Sequence, residues 1–118
     1  MLQKIYRITK QLEFDSFFGA KFKNARGRNF STANFIFKSK LNGLKNARFG
    51  FVISNKIDNR AVVRNRLRRH TIETIRPNLD KFKQNLDCLL VFKKGAQNLD
   101  HEKLEKELLG IFKTIRML

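Results

Sequence analysis

RFGFVISNKIDNRAVVRNRLRRHTIETIR, residues 48–76, places a strand directly before a helix and changes its hydrophobic period in between. Along Arg48 to Ser54, Phe49, Phe51 and Ile53 point to one face and Gly50, Val52 and Ser54 to the other, as side chains on a pleated strand must. Beyond Arg60 the apolar residues return at helical spacing, with Val63, Leu67 and Thr74 on one side and His70 near them. The same helix carries six arginines and one acid between residues 60 and 76.

A helix left to itself would not choose that charge pattern. Asp58 and Asn59 are candidate N-caps, so Arg60, Arg64, Arg66 and Arg68 fall in the opening turns, where the macrodipole disfavours cations. Arg60, Arg64 and Arg68 also repeat at i, i+4 and i+8, a like-charge spacing that costs roughly 0.2–0.5 kcal/mol per pair. Glu73 is spaced to pair with Arg69 and Arg76 and leaves the others unrelieved. The bland reading is a solvated basic face. The sharper one is a phosphate-binding face, because helix N–H groups and forked guanidiniums both offer fixed donors to spread negative charge.

Working outward, TKQLEFDSFFGAKFK from Thr9 sets Phe14, Phe18 and Phe22 at i, i+4 and i+8 with Phe17 beside them, which predicts a first helix with a Phe stripe, weakened by Gly19. Asn24 to Asn29 reads as a loop, FSTANFIFK (30–38) as a strand, and Asn42-Gly43 as a hairpin turn. On the other side, Pro77 ends the arginine helix. Residues 78–85 form a polar connection, and Leu86 to Phe92 read as a strand buried on both faces. Lys93 to Gln97 turn the chain into a last helix capped by Asp100, with Leu104, Leu108, Ile111, Phe112 and Ile115 on one side and Lys113 and Arg116 near its end. The order is helix, two or three strands, helix, strand, helix: an α/β sandwich of one sheet and helices in a single domain, 1–118.

Composition narrows the function. Lys plus Arg is 26 against 10 acids, a formal net charge of +16, which concentrates polyanions and makes binding salt-dependent. Nucleic acid therefore outranks acidic protein or membrane. The apolar runs are too short to span a bilayer, and the opening MLQKIYRITKQLEF lacks a signal-peptide core, so a cytoplasmic protein without a membrane partner is expected. The lone cysteine, Cys88, sits among apolar neighbours as a buried thiol.

No metal site is expected, since no Cys or His set has zinc spacing, and no Walker loop, GxGxxG or Gly-x-Ser-x-Gly element occurs. His70 and His101 lie far apart in sequence. Arg48-Phe49-Gly50-Phe51-Val52 partly matches the base-stacking strand of RNA recognition motifs, but lacks the glycine after the basic residue and the final aromatic. Phe49 and Phe51 are better read as core. The chain reads as a binder of RNA with no catalytic residue of its own.

Asn59-Arg60-Ala61 followed by Arg64-Asn65-Arg66-Leu67-Arg68-Arg69 closely resembles the "RNR" signature of the bacterial ribonuclease P protein subunit. The likeness extends to Phe14 to Phe18, Ile53 to Lys56 before the signature, Leu86 to Phe92 after it, and the closing helix from Asp100 to Ile115. His70 and Thr71 after the signature, and Gly95 where relatives often have proline, are departures. The resemblance implies a two-layer α/β (α+β) sandwich of ribosomal-protein type, with a central, mostly antiparallel sheet of about four strands, three helices and a left-handed β-α-β crossover, against the usual hand.

It also implies an auxiliary subunit of a ribonucleoprotein endonuclease that removes the 5′ leader of precursor tRNA, with cutting done by RNA and Mg²⁺ bound mainly by that RNA. The implied partners are ribonuclease P RNA and precursor tRNA. Lys56, Arg60, Arg64, Asn65, Arg66, Arg68 and Arg69 would meet the catalytic RNA. Phe14, Phe18, Phe35 and Phe37 would line a cleft for the leader between the first helix and the sheet. For the phenylalanines the competing reading is plain core packing. The competing functions are a ribosomal or chaperone-like RNA-binding protein and a small ribonuclease using its histidines.

Overall fold

A strand buried on both faces needs a hydrogen-bonded neighbour along each edge, and Leu86–Phe92, buried except for half-buried Leu86 and Val91, obtains both by lying inside the sheet. The computed structural model describes residues 2–19, 22, 27–82 and 85–115. Among these, β1 (Arg28–Ser31), β2 (Phe35–Leu41), β3 (Arg48–Val52) and β4 (Leu86–Phe92) form one sheet in the order β1-β2-β4-β3. The β1-β2 and β2-β4 pairs are antiparallel and β3-β4 is parallel. The crossover between the adjacent parallel strands is α2 (Ala61–Ile75). The mostly antiparallel sheet and the α/β class match expectation.

Two local readings are corrected. FSTANFIFK is not one strand: it breaks after Ser31, and Thr32 N–H closes a turn onto Phe35 O at 2.8 Å, making β1 and β2 a hairpin. Asn42-Gly43 is a real turn, with Gly43 at φ +71° and Asn42 Oδ1 accepting from Leu44 N–H at 2.8 Å. The strands it joins do not pair, because β4 comes between them.

The first helix is shorter than the Phe spacing implies. α1 covers only Gln11–Asp15, with Lys10 at the N-cap in place of Thr9 and Lys10 N–H donating to Glu13 Oε1 at 3.2 Å. α1 ends before Phe17, and Gly19 adopts φ +79°, so Phe14, Phe18 and Phe22 do not share one continuous helix. The rings separate accordingly: Phe17 and Phe22 are buried, Phe14 is half-buried and Phe18 is exposed. Of the Asn24–Asn29 loop, residues 24–26 lie outside the described residues, as does Arg116 after the last helix, and Arg28 and Asn29 belong to β1 rather than to a loop.

α2 and the last helix, α3 (His101–Thr114), cover one face of the sheet. There Phe37 meets Phe112 edge-on at 5.7 Å and Phe35 meets Phe92 at 5.0 Å. Phe82, in the stretch read as a polar connection, is only 4% exposed and sits 5.3 Å from Phe49 and 4.9 Å from Phe112. Asp100 caps α3 as expected, accepting from Lys103 N–H at 2.8 Å. Glu107 ties that helix to the β1-β2 turn by accepting from Thr32 Oγ1 and from both nitrogens of Asn34. On the opposite face a smaller cluster joins Ile8, Phe17 and Phe22 to Leu89, with Phe14 and Val91 packed against it.

Candidate nucleic-acid interface

The arginine helix starts one residue later than a capped helix would. Arg60 itself holds the N-cap position, with no side-chain cap, and the first turn contains no acid. Asp58 does the work from two residues upstream. Its carboxylate accepts from Arg60 N–H at 2.9 Å and from Arg60 Nε and Nη2 at 3.0 and 2.9 Å, while its carbonyl accepts from Arg64 Nη1 at 2.8 Å. The Arg60 hydrogen bond holds the Asp58 carboxyl down at about 2. The expectation that no acid relieves the first arginines is thereby corrected.

The remaining signature residues divide by contact. Arg66 is half-buried, and its Nη2 donates to Gln97 O at 2.9 Å, which ties α2 to the turn before α3. Its place is between helices rather than on the open face. Arg68 is exposed and donates to Asn65 Oδ1 at 3.1 Å; Arg69 is exposed and stands 4.0 Å from Glu73. Lys56 is exposed in the turn before the helix, and its N–H donates to Ser54 Oγ at 3.3 Å. Lys56, Arg60, Asn65, Arg68 and Arg69 thus face solvent together, with Arg64 half-buried beside them.

The aromatic set does not assemble as expected. Phe35 and Phe37 are 0% and 2% exposed and lie under α2 and α3, in the main core. Strand parity is the reason: with Phe35, Phe37 and Ser39 turned to the helices, Ile36, Lys38 and Lys40 take the α1 face. Sequence reasoning missed these three, although two lysines alternating with two phenylalanines already mark opposite faces of one strand.

What borders α1 is a mixed surface. Phe18 is 58% exposed, and Lys38 Nζ lies 5.0 Å from its ring centre and 5.1 Å from that of Phe22. Lys40 Nζ lies 5.4 Å from the ring of Phe17. A charge cluster around the buried Asp87 fixes α1 above this face. Arg48 clamps Asp87, which is 2% exposed, through Nε and Nη2 at 2.8 and 2.7 Å, and reaches Glu13 Oε2 at 2.6 Å through Nη1. Burial works against the Glu13 carboxylate, but the hydrogen bonds from Arg48 and Lys10 prevail and hold it below the usual range.

The structure also unites two histidines that the sequence keeps apart. The rings of His70 and His101 pack with centroids 4.5 Å apart, and His101 stands 3.4 Å from Glu73 and 3.7 Å from Glu105. Imidazoles in ring contact leave no room between them for a phosphate, as an acid and a base flanking a scissile bond would need. Burial, and then the neighbouring His101 and Arg69, push the His70 imidazole below its usual value. Cys88 is buried, and burial pushes its thiol well up, as expected of an inert core thiol.

A small basic α/β domain with a cationic helix on one side of its sheet and an aromatic, lysine-bearing surface on the other has the features of a nucleic-acid-binding protein. Residues 2–116 match the family model Ribonuclease P. The chain is 30% identical over 118 residues to the ribonuclease P protein component of Listeria welshimeri, covering 99% of this chain and 93% of that protein. It is 34% identical over 99 residues to that of Fusobacterium nucleatum, covering 80% and 87%.

Among solved structures, a mutant of the Staphylococcus aureus RNase P protein superposes with a TM-score of 0.85 at 21% identity, covering 98% of this chain and 92% of that one. The Thermotoga maritima RNase P protein gives 0.71 at 23% identity, covering 89% and 97%. The chain belongs to the ribonuclease P protein family, the RNA-binding protein components of a tRNA-processing ribonucleoprotein endonuclease.

Proposed function

We propose that this chain binds the catalytic RNA of ribonuclease P through the exposed side of α2 and the unpaired 5′ leader of precursor tRNA across the α1 face of the sheet. It thereby assists Mg²⁺-dependent removal of the leader. The catalytic groups belong to the RNA. Among the described residues no three His, Cys, Asp or Glu side chains converge into a set able to hold a metal ion, and no residue here is assigned to Mg²⁺.

One observation carries the leader assignment: Phe18 leaves most of its ring in solvent with a lysine ammonium over it. An exposed ring stacks an unpaired base at about 1–3 kcal/mol with little sequence preference, and the lysine beside it suits the phosphate. On the opposite side, Arg60, Arg68 and Arg69 hold phosphate regardless of base, which positions RNA without reading it. The two surfaces divide the labour between one fixed RNA and many different leaders.

Reconstitution tests the reading. Adding the protein should lower the Mg²⁺ or salt concentration at which a ribonuclease P RNA trims precursor tRNA; no change would refute it. Phe18→Ala should weaken binding of precursor more than mature tRNA, and equal loss on both would remove Phe18 from the leader site.

A further inference from the structure

The two apolar clusters on opposite faces of the sheet meet around its β3 edge, and the seam is open. A groove of about 230 Å³ runs there between Ile8, Phe14, Gly50, Phe51 and the signature-helix residues Arg68 and Ile72. Phe14 belongs to the α1-side cluster and Phe51 to the main core, and both are only half-buried. The floor depends on a missing side chain: a Cβ on Gly50 would lie 2.9 Å from Phe14 Cε1 and 3.4 Å from Ile8 Cβ. The neighbouring N-terminal segment is fixed, because Ile8 N–H donates to Phe49 O at 3.0 Å along the edge of β3.

We propose that this groove takes one unstacked nucleobase of the RNA bound by α2. Its volume is below the usual range for a drug-sized ligand and suits a single flat ring system. The occupant follows from charge complementarity: most of the lining is apolar and aromatic, with Arg7 and Thr9 among it, while the exposed guanidinium of Arg68 stands at the rim, where the sugar-phosphate of an inserted base would emerge. An apolar side chain of a protein partner would leave that guanidinium without an anion. The inference rests on the proposed RNA-binding role of α2 and adds a base-sized site between its two surfaces. Because Arg68 and Ile72 of α2 line the groove, the base belongs to the catalytic RNA, and a leader base is the alternative that the test excludes.

In the reconstituted complex, 4-thiouridine is placed singly at unpaired positions of the catalytic RNA and, in a second arm, along the leader; photocrosslinks to wild-type protein are mapped by mass spectrometry. The expected result is an adduct within residues 8–14 or 50–51 from one position of the catalytic RNA; an adduct there from the leader alone overturns the assignment. Making that position abasic should weaken protein binding about fivefold or more, and Gly50→Ala or Phe14→Leu should add no further loss to the abasic RNA. A complex that trims precursor yet gives no adduct in the groove, or that is indifferent to the abasic change, overturns the groove and leaves the functional reading intact. A protein that neither binds nor assists the RNA overturns both.

Discussion

α2 and α3 lie on the same face of one sheet, with nearly equal lengths of 15 and 14 residues, and follow opposite electrostatic rules. α3 begins with Asp100 as a hydrogen-bonded cap and Glu102 in its first turn, and ends with Lys113 in its last. α2 begins with an arginine at the cap and no acid in its first turn. Both bury an apolar stripe, so packing rather than local propensity holds α2 in place. The arginine helix has given up intrinsic stability for an outward cationic face, and Asp58 recovers part of the loss. A helix that breaks the dipole rule while its neighbour obeys it marks where the charge serves a partner.

The largest effect that tests this comparison lies under the helix. Leu67 is fully buried, and Leu67→Ala should cost about 2–5 kcal/mol in urea unfolding. A cost under 1 kcal/mol would mean that packing does not hold α2. Next, Arg66→Ala should cost about 1–2 kcal/mol of stability through the lost bond to Gln97 O, with less change in the salt slope of RNA binding than Arg68→Ala. The reverse ranking would return Arg66 to the RNA face.

Asp100→Ala should cost about 1 kcal/mol of stability with RNA affinity unchanged, since it removes only the α3 cap. Arg68→Ala should do the opposite: stability within about 0.5 kcal/mol of wild type, and a salt dependence of RNA binding flattened by about one unit. An unchanged slope would remove Arg68 from phosphate contact.

The smallest effect is proton-linked. Because His70 in the folded state titrates below its usual 6.5, the unfolded chain binds more protons in that interval. Stability should therefore fall as pH drops from about 6.5 through the folded value, and His70→Gln should remove that part of the slope. An identical pH profile for His70→Gln would show that the packed imidazoles do not matter to folding.

Much of this was legible in advance where local chemistry decides. Asp100 caps its helix as read, Leu86 to Phe92 is an interior strand, and Phe49 is core rather than a base-stacking ring, whereas Arg76 before Pro77 stays helical and the chain passes into a 3-10 turn, Arg76–Asn78. The errors came from relations between distant segments. Asn42-Gly43 has turn chemistry, but nothing near it says that β4 will enter between β2 and β3. The spacing of Phe14, Phe18 and Phe22 is helical on paper, yet the helix stops at Asp15 and leaves Phe17 buried and Phe18 exposed. Phe82 looked like part of a polar linker because its partners, Phe49 and Phe112, are 33 and 30 residues away.

By itself the sequence determined the arginine-rich start of α2, the family signature and the alternating faces of β3, because charge, motif and pleat are local properties. Only the tertiary structure decided which face of β2 meets α1, which signature arginine joins the helices and which remain outward, and that His70 and His101 touch. Those outcomes depend on which apolar surfaces find each other, and burial is settled by the whole chain at once.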